Sequence, residues 1–270
     1  MAKRLFLVDG TALAYRSFFA FAANPRTSLT TRSGQPTGAV FGFVQTLRSL
    51  LEREKPDAIA VAFDGPREDL YRTQIYPEYK STRSRMPDEM AVQLDDIRKV
   101  VEGYGIRIVE SPSDEADDVI GTLALRGRDA GMDVYIVTGD KDFLQVVGPH
   151  VHLWNLRSST TKPEVLGPAE VEEKWGVKPS QIVDLLALMG DSSDNVPGVP
   201  KVGEKTAVEL IQQFGSLDAV LARAEEVKKP SIRQSLLENR ELAELSRRLV
   251  TLQTTLELPV DLAAIGPAEP

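Results

Sequence analysis

Short apolar runs alternate with helix-spaced patterns through the first two-thirds of the chain. Residues 4–8, 58–63, 106–109, 134–137 and 151–154 are of strand length and rich in β-branched or aromatic side chains. Helical spacing fills 38–53, 88–103 and 114–130, with Ser113 placed as an N-cap for the last. The strand runs are apolar throughout instead of alternating. They therefore predict an α/β fold whose central sheet is mostly parallel and covered by helices on both faces. In such sheets the functional crevice lies outside the carboxyl ends of the strands. From Pro168 onward the pattern is helix after helix, over 168–175, 179–189, 204–214, 217–224 and 231–250, with breaks such as Gly176, Gly190 and Gly215. This predicts an α/β core over 1–167, a helical subdomain over 168–258 and a linker-like tail over 259–270. Segment 65–88 fits neither pattern, and a connection this long within a compact domain is usually functional or disordered.

Composition narrows the chemistry. Among 270 residues there is no cysteine and there are two histidines, so disulfides, thiolate sites and imidazole-rich zinc sites are excluded. Any metal would be a hard cation on oxygen ligands. The apolar run after Lys3 and Arg4 is four residues long, too short for a signal sequence, and no stretch reaches the roughly 18 apolar residues of a membrane span. A cytoplasmic setting, nucleoid-associated in a bacterium, is expected, with no membrane partner. The net charge of −8 argues at first against a nucleic-acid partner. That charge is uneven, however. Residues 1–55 carry 8 basic and 3 acidic groups, whereas 86–144 carry 6 and 14.

The acidic residues fall at strand ends. Asp9 closes the first run and Asp64 the second, while Asp140 and Asp142 follow the fourth in Thr-Gly-Asp-Lys-Asp. Glu115, Asp117 and Asp118 open the helix after the third run. In a parallel sheet these ends share one edge. One such Asp is ordinarily a cap, but four independent placements make capping a poor account. Crowded carboxylates either take up protons or bind cations, and an all-oxygen donor set selects Mg²⁺ or Mn²⁺. Their number suits two ions about 3.5–4 Å apart, as in phosphoryl-cleaving sites. Asp191 and Asp194 in Gly-Asp-Ser-Ser-Asp-Asn-Val-Pro-Gly form a second pair, equally readable as a polar turn.

Two elements suit a polyanion. Pro197 to Ala207 is not a nucleotide-binding loop, because Glu204 separates Gly203 from Lys205 and no strand precedes it. A hairpin from Gly198 to Gly203 between helices presents backbone N–H groups to phosphates, with Lys201, Lys205 and Thr206 beside it. Segment 65–88 interleaves Arg67, Arg72, Lys80, Arg83 and Arg85 with Tyr71, Tyr76 and Tyr79, a pattern suited to single strands.

Six ordered motifs then carry a resemblance: Leu-Val-Asp9-Gly, Ala-Phe-Asp64-Gly, Tyr-Pro-Glu-Tyr-Lys80-Ser-Thr-Arg83, Glu115-Ala-Asp117-Asp118, Thr-Gly-Asp140-Lys-Asp142 and Gly-Asp191-Ser-Ser-Asp194-Asn-Val-Pro-Gly. The chain resembles the 5′ nuclease (flap endonuclease) family over essentially its whole length, closest to the polymerase I type of 5′→3′ exonuclease domain. The resemblance implies a 5′ nuclease/PIN-like core, with Asp9, Asp64, Glu115, Asp117 and Asp118 around one metal and Asp140, Asp142, Asp191 and Asp194 around the other. It also implies that 65–88 is a helical arch placing Lys80 and Arg83 on the scissile phosphate, with Arg72 on DNA and Tyr79 a stacking partner. Residues 190–210 would be a helix-three-turn-helix holding duplex, with a K⁺ site near Val199 and Val202. The implied activity is metal-dependent cleavage of DNA at 5′ flaps and 5′ ends, including RNA primer–DNA hybrids, by a monomer in replication and repair. A cleavage-silent DNA-junction module and a PIN-like ribonuclease stay open as alternatives.

Overall fold

Successive side chains on a strand point to opposite faces of its sheet, and in this protein both faces are covered. The computed structural model describes residues 2–22, 29–65, 70–156 and 163–268. Within them the chain runs β1 (Arg4–Asp9), α1 (Gly10–Ala22), α2 (Gly38–Glu54), β2 (Ala58–Ala62), α3 (Tyr71–Ile75), α4 (Asp88–Gly103), β3 (Arg107–Val109), α5 (Ala116–Asp129), β4 (Asp133–Thr138), β5 (Val151–Asn155) and β6 (Glu164–Leu166). The helical part follows as α6 (Pro168–Trp175), α7 (Ile182–Met189), α8 (Glu204–Phe214), α9 (Leu217–Ala222), α10 (Pro230–Glu238) and α11 (Arg240–Val250). The sheet order is β3-β2-β1-β4-β5-β6, parallel except for β6. Leu5, Leu7, Ala60, Val134 and Ile136 pack with α5 and the helical part, while Phe6, Val8, Ile59, Val61 and Val137 pack with α1, α2 and α4. That two-sided burial is why the strands read as unbroken apolar runs.

Several elements differ from the sequence reading. Helix α1, for which the sequence pattern gave no prediction, begins directly at the end of β1 with no intervening turn residues. Strand β6 is a three-residue antiparallel edge, too short for a periodic signal. The stretch 231–250 is two helices broken at Asn239, whose side chain donates to the Ser235 carbonyl. Ser113 does not cap α5; its hydroxyl bonds Asp114, and extended Glu115 occupies the cap position. The tail is no free linker, since Val260 and Ile265 are buried and the Ile59 N–H donates to the Gly266 carbonyl. The helical arch is likewise reduced: among the described residues of 65–87 only α3 is helical, and turns occupy 77–82. Pro77 prevents α3 from continuing. Arg67 lies outside the described residues. Among the described residues no helix is long and apolar enough to cross a membrane.

The hairpin between α7 and α8 depends on two glycines. Gly190 has φ 72° and ψ −179°, a region open essentially to glycine, and Gly198 has φ 64°. They approach so closely that a Cβ on Gly198 would lie 2.5 Å from the Gly190 nitrogen, and one on Gly190 would lie 2.6 Å from the Val196 carbonyl. The turn closes through Asp191 N–H to Val196 O at 3.0 Å and the reverse bond at 2.7 Å. Replacing Gly190 with Ala is expected to lower unfolding free energy by about 2–4 kcal/mol, read from urea midpoints at unchanged slope.

Candidate active site

Strands β2, β1 and β4 are neighbours and parallel, so Asp64, Asp9 and Asp140 leave the same edge. The first turn of α5 brings Asp117 to them. Asp9, Asp64, Asp117 and Asp140 line one open cleft of about 380 Å³ together with Lys80 and Arg83. Tyr15 and Phe19, one helical turn apart on α1 with stacked rings 6.2 Å apart, form its other wall. Their i, i+4 spacing after Asp9 was the available signal for these two aromatics, which the sequence reading passed over.

Asp9, Asp64, Asp140 and Asp191 also cap or order backbone through some of their lone pairs. Asp9 Oδ1 accepts from Ala12 N–H at 2.8 Å and Oδ2 from the Thr138 hydroxyl at 2.8 Å. Asp64 accepts from Ala116 N–H at 3.0 Å, at the start of α5. Asp140 accepts from Asp142 N–H at 2.9 Å and Asp191 from Ser193 N–H at 2.7 Å. Capping thus orients the carboxylates without neutralising them. Burial, with Asp64 and Asp140 close by, pushes Asp9 up to about 7 despite its hydrogen bonds. Asp117 is held well above the usual carboxylate range by burial and then by Asp140, with Lys80 opposing. Asp142 is raised by burial and by Asp140, Asp194 and Asp191, and its Oδ1 is buried with no hydrogen-bond partner.

A second group of acids is compensated internally. Glu115 bonds Lys80 and, at 2.7 Å, Arg72, and these cations outweigh its burial and hold its pKa below normal. Asp194 takes Arg83, with Lys80 at 3.5 Å. Asp191 pairs with Lys141 at 2.8 Å, which overcomes burial and lowers its pKa. Among the described residues no three acidic or imidazole side chains converge to hold one ion in this conformation. The donor set itself fits a hard divalent cation. It is all oxygen, its charge is incompletely compensated, and the Asp142 oxygen is left without a donor.

Three sequence expectations change. Asp118 faces away from the cleft: its oxygens accept from Arg72 at 2.6 and 2.8 Å and from Gln253 N–H at 2.8 Å. Arg72 is buried, not displayed to DNA, and it also donates to the Leu249 and Thr251 carbonyls at 2.7 and 2.8 Å. Burial works to lower its pKa, and Asp118 and Glu115 more than reverse that. Tyr79 is buried too, its hydroxyl 3.2 Å from Glu115 and 3.3 Å from Asp194, so its ring is no free stacking surface here. Lys201, Gly203 and Lys205 are exposed on the hairpin and Thr206 is half-buried, whereas the side chains of Val199 and Val202 are buried. Gly198 N–H donates to the Ser246 hydroxyl at 2.9 Å, so that amide is engaged within the protein.

These charges have measurable consequences. The Asp9 pKa in the fold lies above its unfolded value of 3.8, so its contribution to stability is complete below about pH 3.8 and is lost as pH rises through about 7. Asp9→Asn is therefore expected to stabilise the metal-free protein at pH 8, by up to about 4 kcal/mol, and to lose that advantage at pH 4. Thermal melts across this range in EDTA check it, and a wild type that melts higher than the variant at pH 8 overturns it. Arg72→Met strands two buried carboxylates and should cost about 3–5 kcal/mol, measured by denaturant titration.

The comparisons agree with this geometry. A family model described as 5′-3′ exonuclease, N-terminal resolvase-like domain, matches residues 4–176, and one described as 5′-3′ exonuclease, C-terminal SAM fold, matches 177–270. DNA polymerase I of Bacillus caldotenax is 41% identical over 263 residues, covering 97% of this chain and 29% of the relative. DNA polymerase I of Bacillus subtilis is 40% identical over 264 residues, with 98% and 29% covered. The chain thus spans less than a third of the length of these curated relatives. The solved structure of T5 5′-exonuclease with bound zinc superposes with a TM-score of 0.78 at 22% identity, covering 93% of this chain and 90% of that one. The catalytic core of Rad2 in complex with DNA substrate gives 0.57 at 18%, with 94% and 80% covered. These last two likenesses concern the fold. Two adjoining family models span the chain from residue 4 to its end, on the residues that build the acidic cleft and the hairpin, and the chain belongs to the 5′-3′ exonuclease family.

Proposed function

We propose that this chain is a divalent-metal-dependent, structure-specific 5′ nuclease acting on DNA at 5′ flaps and 5′ ends. The observation that carries the reading is the single cleft where Asp9, Asp64, Asp117 and Asp140 meet the cations Lys80 and Arg83. Asp9, Asp64, Asp117 and Asp140 would hold one Mg²⁺ or Mn²⁺, with Glu115 beside them. Asp142, Asp191 and Asp194 would hold a second. When bound, such ions supply an activated water and stabilise charge on the scissile phosphate.

The protein's own groups do the remaining work. Lys80 and Arg83, now on Glu115 and Asp194, are placed to transfer to a phosphate once the carboxylates gain other counter-charges. Tyr15 and Phe19 offer an apolar wall beside the reacting strand. Lys201, Lys205, Thr206 and Gly203, at the start of α8, suit a duplex backbone gripped without sequence readout. The carbonyls of Val199 and Val202 would hold K⁺ in that hairpin. The chain would act as a monomer, with RNA primer–DNA hybrids among its substrates.

A 5′-flap substrate with saturating Mg²⁺ provides the test. Wild type should cut near the junction, EDTA should abolish cutting, and Asp140→Ala should lower the rate by about 10²–10³-fold while leaving flap binding in Ca²⁺ or EDTA measurable. Binding without cleavage by the wild type would establish a junction-binding module instead. Preference for an all-RNA flap would favour the ribonuclease alternative.

A further inference from the structure

The turn that carries Asp191 and Asp194 also seats the segment bearing Lys80 and Arg83. Asn195 Nδ2 donates to the Glu78 carbonyl at 2.7 Å and lies 3.3 Å from the Ser81 hydroxyl. Lys80 N–H donates to the Asp194 carbonyl at 2.9 Å, and Arg83 Nε donates to the Ser193 carbonyl at 3.4 Å. Three successive residues, 193 to 195, thus hold the 78–83 backbone and side chains. Lys80 and Asn195 both adopt left-handed backbone, with φ 55° and 56°. Asparagine tolerates that conformation, and lysine adopts it at a cost. The Lys80 backbone therefore has to be held by its surroundings. The Glu78 carbonyl is the node, accepting from Ser81 N–H at 3.1 Å, the Ser81 hydroxyl at 2.7 Å and Asn195. Of these donors Asn195 alone comes from another segment.

We propose that Asn195 is a positioning residue, clipping the 78–81 backbone so that Lys80 and Arg83 stand over the catalytic cleft. The inference rests on the 5′ nuclease reading above for its catalytic meaning. Asn195 touches no reacting atom; it acts through the backbone that carries Lys80. The same turn thereby links one carboxylate pair to the cations facing the other carboxylates.

Asn195→Gly keeps the left-handed backbone and removes the donor, and Asn195→Asp keeps the size and replaces the donor with an acceptor. In the full 270-residue chain, both should raise hydrogen exchange at amides 79–83 by about tenfold, the equivalent of one lost hydrogen bond, with exchange in the β1 and β4 amides unchanged. On a 5′ flap both should lower kcat by about tenfold with KM changed less than about twofold. In a Lys80→Ala/Arg83→Ala background Asn195→Gly should lower kcat no further, because the clip acts through those two residues. Unchanged exchange at 79–83, exchange rising throughout the molecule, or losses that simply multiply with the Lys80→Ala/Arg83→Ala pair each overturn the inference. If wild type fails to cleave the flap, the function reading falls while the exchange data still decide the clip.

Discussion

Burying carboxylates side by side raises the energy of their charged forms, through lost hydration and mutual repulsion, and the carboxyl edge of this sheet gathers more of them than hydrogen bonds alone can hold. The chain meets that constraint in two ways. Arg72, Lys80, Arg83 and Lys141 neutralise Glu115, Asp118, Asp191 and Asp194 directly. Asp9, Asp117 and Asp142 are left with raised pKa values instead. The uncompensated group marks where divalent cations would relieve the most repulsion.

Arg72 shows how far this requirement reaches into the fold. Its guanidinium joins α3, the start of α5 and the end of α11 by bonding Glu115, Asp118 and the carbonyls of Leu249 and Thr251. Asp118 then accepts from Gln253, and Gln145 binds the Val250 carbonyl and Leu252 N–H. The acidic edge, the base of the cationic segment and the return of the chain from the helical part are thereby one hydrogen-bonded unit. A guanidinium that donates five hydrogen bonds to acceptors on distant segments is rigid for geometric reasons, whatever its net contribution to stability.

Much of the architecture was legible. The runs at 58–63 and 134–137 lie within one or two residues of β2 and β4, because two-sided burial demands continuous apolar sequence. Asp9 and Asp140 could be placed on one edge from topology alone. Capping and convergence, posed as rivals in the sequence, are both true of Asp64, which caps α5 and lines the cleft. Helix α1, the break at Asn239 and the packed tail were not legible, since each depends on contacts absent from the local pattern. The tail reads as a linker because prolines and a glycine punctuate it, yet Ile265 is buried against the core.

By itself the sequence determined the order of β1 to β5, the number and chain positions of the carboxylates and the acidic imbalance of 86–144, because these follow from residue type and spacing. Tertiary structure alone decided which charges meet. Arg72 and Lys80 are both cations in the same 24-residue segment, and nothing local distinguishes them. The fold directs one to Asp118, 46 positions away, in the interior, and the other to Glu115, with the lysine itself lining the cleft. Electrostatic partnership is set by distances of a few ångströms and by local dielectric, and both are properties of the folded chain.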